Sequence, residues 1–212
     1  MRLSGRVLAT IASAANLPAL LPPDVDPASG ACARGFAKIA PSPGKGFGAF
    51  ATLYMSPFYE IGRYEGEVLR GVSELHARYG VDGGDDFPDP EWHYQWSRAR
   101  QERGVGTTGA YVVKVGSCPL SGHVIFVDAE DPAIASWTRF LNHSAKQPNL
   151  SMSSTVQPDG TPIVRFVVER EIRPGDELLF DYGGAYWEHD EPLDSDSYDD
   201  PRLYQPEDGS VR

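Results

Sequence analysis

Cysteine is nearly absent from this chain: among 212 residues only Cys32 and Cys118 carry thiols. Two such distant cysteines cannot form the disulfide framework of a small secreted domain, and neither has a partner at zinc-ligand spacing. Both are expected to be free thiols. The five histidines, at 76, 93, 123, 143 and 189, have no Glu or His three or four residues further on, so no metal site is expected. No apolar run approaches the ~20 residues that a membrane-spanning helix needs. Positive charge is scarce as well, with 19 Lys and Arg against 30 Asp and Glu and a net charge of -11. Direct nucleic-acid binding needs a basic face to neutralise phosphates. The acidic balance suits a basic polypeptide partner instead.

What remains is enough for one packed domain, since 41% of the residues are hydrophobic. The two ends differ from the middle. Residues 1–23 carry Arg2 and Arg6, several Ala and Ser, and no acid. That composition mildly resembles an organelle transit peptide, which would place the protein in a chloroplast or mitochondrion. The alternative is a helical or irregular lead-in, because Leu3, Val7 and Ile11 share a helical spacing, and this leaves nucleus or cytoplasm. Pro22-Pro23, Pro27 and Gly30 then read as a linker, so residues 1–34 are expected to precede the domain. Residues 188–212 hold nine acids against Arg202 and Arg212. With few apolar residues to offset the entropy of ordering, disorder is expected there.

Residues 35–187 read as a β-rich α+β domain of several small sheets. Residues 35–51 hold a Gly-rich turn, and 58–69, 110–115 and 123–127 have strand character. Pro158-Asp159-Gly160 signals a hairpin between 151–156 and 163–168, and Arg173-Pro174-Gly175-Asp176 turns the chain into 177–180. Helices are expected over 72–79 and over 90–102, with Asp89 as N-cap and Pro90 at the first helical position. They form a helical insertion spanning about 72–103, joined by an acidic, Gly- and Pro-rich loop at 82–89.

Four short segments carry the chemistry. Gly46-Phe47-Gly48, with Lys45 before it, allows a close backbone approach, although a plain tight turn explains it equally well. Tyr64-Glu65-Gly66-Glu67 follows. Arg139-Phe140-Leu141-Asn142-His143-Ser144, with Pro148-Asn149 beyond, offers an amide and an imidazole side by side. Glu177-Leu178-Leu179-Phe180-Asp181-Tyr182-Gly183 ends a strand on an aromatic, a position where packing is the ordinary role.

In this order the segments resemble the SET-domain protein-lysine methyltransferases, over roughly residues 35–187. The resemblance implies a fold in which the Asn-His segment joins the Asp-Tyr strand in a pseudoknot. It implies S-adenosylmethionine as methyl donor, held by Lys45, Gly46, Phe47, Gly48, Tyr64, Arg139, Asn142 and His143. Trp187 either covers the adenine or packs in the core. Tyr182 matches the catalytic tyrosine, and Tyr64, Tyr111 and Phe180 match positions that line the lysine channel. The implied substrate is a lysine of a basic protein or peptide, such as a histone tail, and Phe at 180 implies addition of more than one methyl. A non-catalytic interaction module of the same fold is the alternative from another class. The sequence also departs from the family pattern: Ala145 stands where a Cys usually follows Asn-His-Ser, and no cysteine cluster follows Tyr182. The zinc-binding elements that flank many members are therefore not expected.

Overall fold

The computed structural model describes residues 21–80 and 87–182. Residues 1–20, part of the acidic loop, Gly183, Trp187 and the acidic tail lie outside the described residues, and with them the transit-peptide and disorder expectations.

The Gly-rich segment is a hairpin: β1 (Ala37–Ser42) pairs antiparallel with β2 (Gly46–Ala51). Gly46 enters β2 at φ +77°, a left-handed conformation that costs a residue with a Cβ. The expected extended stretch over 58–69 is two strands, β3 (Glu60–Arg63) and β4 (Glu67–Arg70), in different sheets. The crossover at 64–66 explains the division. A Cβ on Gly66 would stand 2.7 Å from the Asp128 carbonyl carbon, so only glycine lets the chain pass there.

The insertion follows as α1 (Val72–Tyr79) and α2 (Pro90–Glu102). Asp89 caps α2 as expected, its Oδ1 accepting the Trp92 N–H at 3.0 Å. Then come β5 (Val112–Ser117), β6 (Val124–Asp128), a 3-10 turn at Trp137–Phe140, and β7 (Asn142–His143). The hairpin of β8 (Leu150–Val156) and β9 (Pro162–Val168) turns at Gly160, φ +86°, and the short β10 (Leu179–Phe180) is the last strand among the described residues.

These strands make a two-stranded sheet of β1 and β2, a three-stranded sheet in the order β4-β6-β5, and a five-stranded sheet in the order β3-β9-β8-β10-β7. The alternating inward residues of β9, Val164, Phe166 and Val168, are buried at the centre of the main core. Burying each such side chain is worth about 1.5–3 kcal/mol. A smaller cluster of Leu69, Leu75, Tyr79 and Phe126 fixes the insertion on the three-stranded sheet.

The stretch that composition presents as a linker is packed. Val25 and Cys32 form an isolated β-bridge, both enter the main core, and the Asp24 carboxylate accepts the Trp137 N–H at 3.2 Å. Both cysteines are free and buried, and burial pushes the Cys32 thiol up to about 12. Among the described residues no helix is long and apolar enough to cross a membrane, and no three His, Cys, Asp or Glu side chains cluster to hold a metal ion.

Candidate active site

The Asn-His and Asp-Tyr segments are far apart in sequence and adjacent in space. β10 runs parallel to β7 on one side, with Leu179 opposite Asn142 and Phe180 opposite His143, and parallel to β8 on the other. Only two residues long, β10 is held by side chains as much as by its ladder. Asn149 clamps it: its Nδ2 donates to the Glu177 carbonyl at 2.7 Å and its Oδ1 accepts the Leu179 N–H at 2.8 Å. The Asn149 N–H donates to the Leu179 carbonyl at 2.9 Å and the Ser144 N–H to the Phe180 carbonyl at 3.1 Å. An asparagine can satisfy a donor and an acceptor of one strand at once, which explains its place after Pro148.

Tyr182 emerges from β10 onto this junction. Its hydroxyl donates to the Leu141 carbonyl at 2.8 Å, and its N–H donates to Nδ1 of His143 at 3.1 Å. Nδ1 also lies 3.8 Å from the Asp181 carboxylate. The phenol packs on Phe180, ring centroids 4.6 Å apart, and edge-on to His143 at 5.2 Å. Phe180 in turn meets Phe166 at 4.9 Å.

Tyr64 completes this aromatic group. It is buried, lies edge-on to Phe166 at 6.3 Å, and donates its hydroxyl hydrogen to the Tyr111 carbonyl at 2.8 Å. Desolvation, and then the nearby Tyr182, hold its phenol well above the usual value, so it stays neutral. The structure thus brings Tyr64, Tyr111, Phe180 and Tyr182 into one neighbourhood, in which the Tyr64 and Tyr182 hydroxyls donate to backbone carbonyls.

The glycine strand lies beside the same junction. Lys45 Nζ donates to the His143 carbonyl at 3.1 Å. Asn142 Nδ2 donates both to the Phe47 carbonyl at 3.2 Å and to Glu177 Oε1 at 2.7 Å. The two glycines of Gly46-Phe47-Gly48 serve different ends. A Cβ on Gly46 would meet nothing within 4 Å, whereas one on Gly48 would collide with the Glu177 carboxylate and stand 2.8 Å from Asn142 Nδ2. The close approach at Gly48 is therefore made by the protein's own side chains. Phe47 is buried.

Arg139 is buried on the far side of Tyr111, its guanidinium 4.2 Å from that ring's centroid and its Nη2 donating to the Glu130 carbonyl at 3.3 Å. It meets the aromatic group through Tyr111. Glu177 and Asn149 are the residues that sequence reasoning left without a role. Their signal was the motif itself, but the partners that give them work come from distant segments.

The model of the family described as SET domain matches residues 46–183. Among curated proteins, the histone-lysine N-methyltransferase SETMAR of Mus musculus is 28% identical over 142 residues, covering 67% of this chain and 38% of that protein. SETMAR of Bos taurus is 25% identical over 162 residues, 76% of this chain and 45% of that protein. The chain thus spans less than half the length of these relatives. A crystal structure of CpSET8 from Cryptosporidium aligns with a TM-score of 0.47 and 22% identity, over 69% of this chain and 57% of that one. With the family match running from the glycine hairpin through the Asp-Tyr strand, this chain belongs to the SET-domain family.

Proposed function

We propose that the protein is an S-adenosylmethionine-dependent protein-lysine N-methyltransferase. The observation that carries this reading is the Tyr182 hydroxyl, which gives its hydrogen to the Leu141 carbonyl at the junction of the Asn-His and Asp-Tyr segments, amid Tyr64, Phe180 and His143. Family membership and the named histone-lysine N-methyltransferases among its relatives support it.

The residues beside this junction suit the cofactor. Gly46 leaves open space over the hairpin, and the Asn142 amide, its Nδ2 occupied by two acceptors, has Oδ1 as the atom that can receive a ligand N–H. Lys45, Phe47, Gly48 and His143 frame the same place. When bound there, S-adenosylmethionine supplies an electrophilic methyl group on a sulfonium.

The chain's own part is to prepare the lysine. An ammonium of pKa ~10.4 has no lone pair and must lose its proton before it can attack. Aromatic walls such as Tyr64 and Phe180 disfavour the charged form by desolvation and lower that pKa. The Tyr182 oxygen, held by its bond to Leu141, accepts from the amine and aligns it, and alignment of this kind is a large part of the acceleration. A basic substrate such as a histone tail suits the net charge of -11.

Incubation of the purified protein with labelled S-adenosylmethionine and a mixed protein extract, followed by mapping of the labelled site, tests the proposal. Label on the ε-nitrogen of lysines in basic segments is expected. Binding of extract proteins without any label transfer would favour the non-catalytic module.

A further inference from the structure

We infer that Glu177 is a positioning residue that sets the sense of the Asn142 amide and so builds the cofactor site, an inference that rests on the function proposed above. Asn142 sits on the short β7, where its side chain could present either the amide nitrogen or the carbonyl oxygen to a ligand. Its surroundings decide. The Phe47 carbonyl at 3.2 Å and Glu177 Oε1 at 2.7 Å are both acceptors, and neither can be met by Oδ1. Of the two, the carboxylate makes the shorter, charge-assisted bond. Rotating the amide by half a turn would put two lone-pair-bearing oxygens against Oδ1. The amide is thereby fixed with Oδ1 as its ligand-facing acceptor, and among the described residues Oδ1 accepts no other bond.

Three further contacts aim the Glu177 carboxylate. Glu177 forms an isolated antiparallel bridge with Phe50, and the Leu178 N–H donates to the Ala49 carbonyl at 2.8 Å, so this backbone is stitched to β2. The Asn149 clamp on the Glu177 carbonyl, at 2.7 Å, holds it from the other side. Gly48 supplies the room, because any Cβ there would displace the carboxylate. A glycine in the hairpin, an acid before β10 and an asparagine in β7 thus act as one unit. The unit presents an acceptor, which suits the amino hydrogens of an adenosine-bearing ligand.

Calorimetric binding of two ligands separates positioning from direct charge attraction. S-adenosylhomocysteine lacks the methyl and the sulfonium charge of S-adenosylmethionine. Glu177→Ala is expected to weaken both about tenfold and equally, with Glu177→Gln retaining most affinity because its Oε1 can accept the same hydrogen. In an Asn142→Ala background the Glu177→Ala change is expected to cost nothing more, since the group it positions is gone. Thermal melting of each variant checks that the fold persists. Unchanged affinity in Glu177→Ala, a loss confined to S-adenosylmethionine, or full additivity with Asn142→Ala would each overturn the positioning role. Failure of the native chain to bind either ligand would instead overturn the proposed function, and this inference with it.

Discussion

Two polar regions flank the crossover at residues 64–66, and they are built from opposite materials. The aromatic pocket around Tyr182 is built mainly from neutral contacts, two phenols donating to backbone carbonyls, an imidazole accepting a backbone N–H and an amide clamp, with the charges of Lys45 and Glu177 at its edge. Between the insertion and the three-stranded sheet they are ionic. Arg100 and Asp128 are fully buried and paired at 3.1 Å, and Arg78 makes a two-pronged bond to Glu67 with both distances 2.6 Å. Tyr79 donates to Asp128 at 2.6 Å, and Glu130 accepts from the Thr108 and Gly109 N–H groups at 2.8 and 2.9 Å. The Trp96 ring covers the Arg100 guanidinium at 4.7 Å.

The difference fits the function proposed for the Tyr182 region. Charges buried without partners are costly, so the ionic region is stable only as a complete set and locks the insertion in one place. A site that must desolvate an amine gains from neutral walls, since fixed charges beside it would hold the amine in one protonation state. The ionic region also touches the site: the Glu130 carbonyl accepts from Arg139, whose guanidinium lies on Tyr111, whose carbonyl receives the Tyr64 hydroxyl. Damage to the ionic set should therefore appear chiefly in stability, and damage at Tyr182 chiefly in rate.

The largest expected effect breaks the ionic side. Arg100→Ala leaves Asp128 buried without its closest cationic partner and should cost about 3–5 kcal/mol of stability by denaturant unfolding. A loss below about 1 kcal/mol would show that water enters this interface and that the comparison is misdrawn. On the neutral side, Asn142→Ala leaves the Glu177 carboxylate and the Phe47 carbonyl without their donor. Affinity for S-adenosylmethionine should fall by about 1–3 kcal/mol in calorimetry through loss of the ligand-facing Oδ1, and melting should fall as well because two acceptors lose their donor.

Phe180→Tyr sharpens the account of the aromatic wall. An added hydroxyl beside Tyr182 can hold a water that blocks an already methylated amine. Mass spectrometry of a substrate peptide under excess cofactor should show two or three methyl groups added by the native chain and mainly one by the variant. A native product that stops at one methyl would show that other residues set the limit.

The smallest expected effect concerns acid. Hydrogen bonds from Arg78 hold the Glu67 carboxyl below its ordinary value of 4.5. A depressed folded-state pKa gives stability that is present above the unfolded value and lost as pH falls through the folded one. Glu67→Gln should thus lose stability at neutral pH and show a flatter decline below about pH 4.5, by about 1 kcal/mol or less because the carboxylate is 40% exposed. Identical pH profiles for the two proteins would place the acid sensitivity elsewhere in the set.

What the sequence made legible was local. Asp89 before Pro90 marks a helix start, and Pro158-Asp159-Gly160 marks a hairpin, because the residues that satisfy those backbone groups lie within a few positions. The order of the four motifs also made Tyr182, Tyr64, Asn142 and His143 readable as one site. Residues 21–34 were misread because Pro and Gly describe backbone freedom and say nothing of Val25 and Cys32 facing a core built later in the chain. The ionic set was invisible, since Glu67, Arg78, Arg100, Asp128 and Glu130 each look like ordinary surface charges until the fold gathers them. Glu177 was hidden for the same reason: its meaning depends on Gly48.

The central claim is that the neutral region performs methyl transfer through one hydroxyl. The most direct test is Tyr182→Phe, measured for turnover of a lysine substrate and for S-adenosylmethionine affinity on the same preparation. The ring keeps its packing on Phe180 and His143, so affinity and melting should stay near native while turnover falls by about a hundredfold or more, the usual scale for removing one well-placed polar group from a reacting centre. Near-native turnover with native affinity would contradict the account.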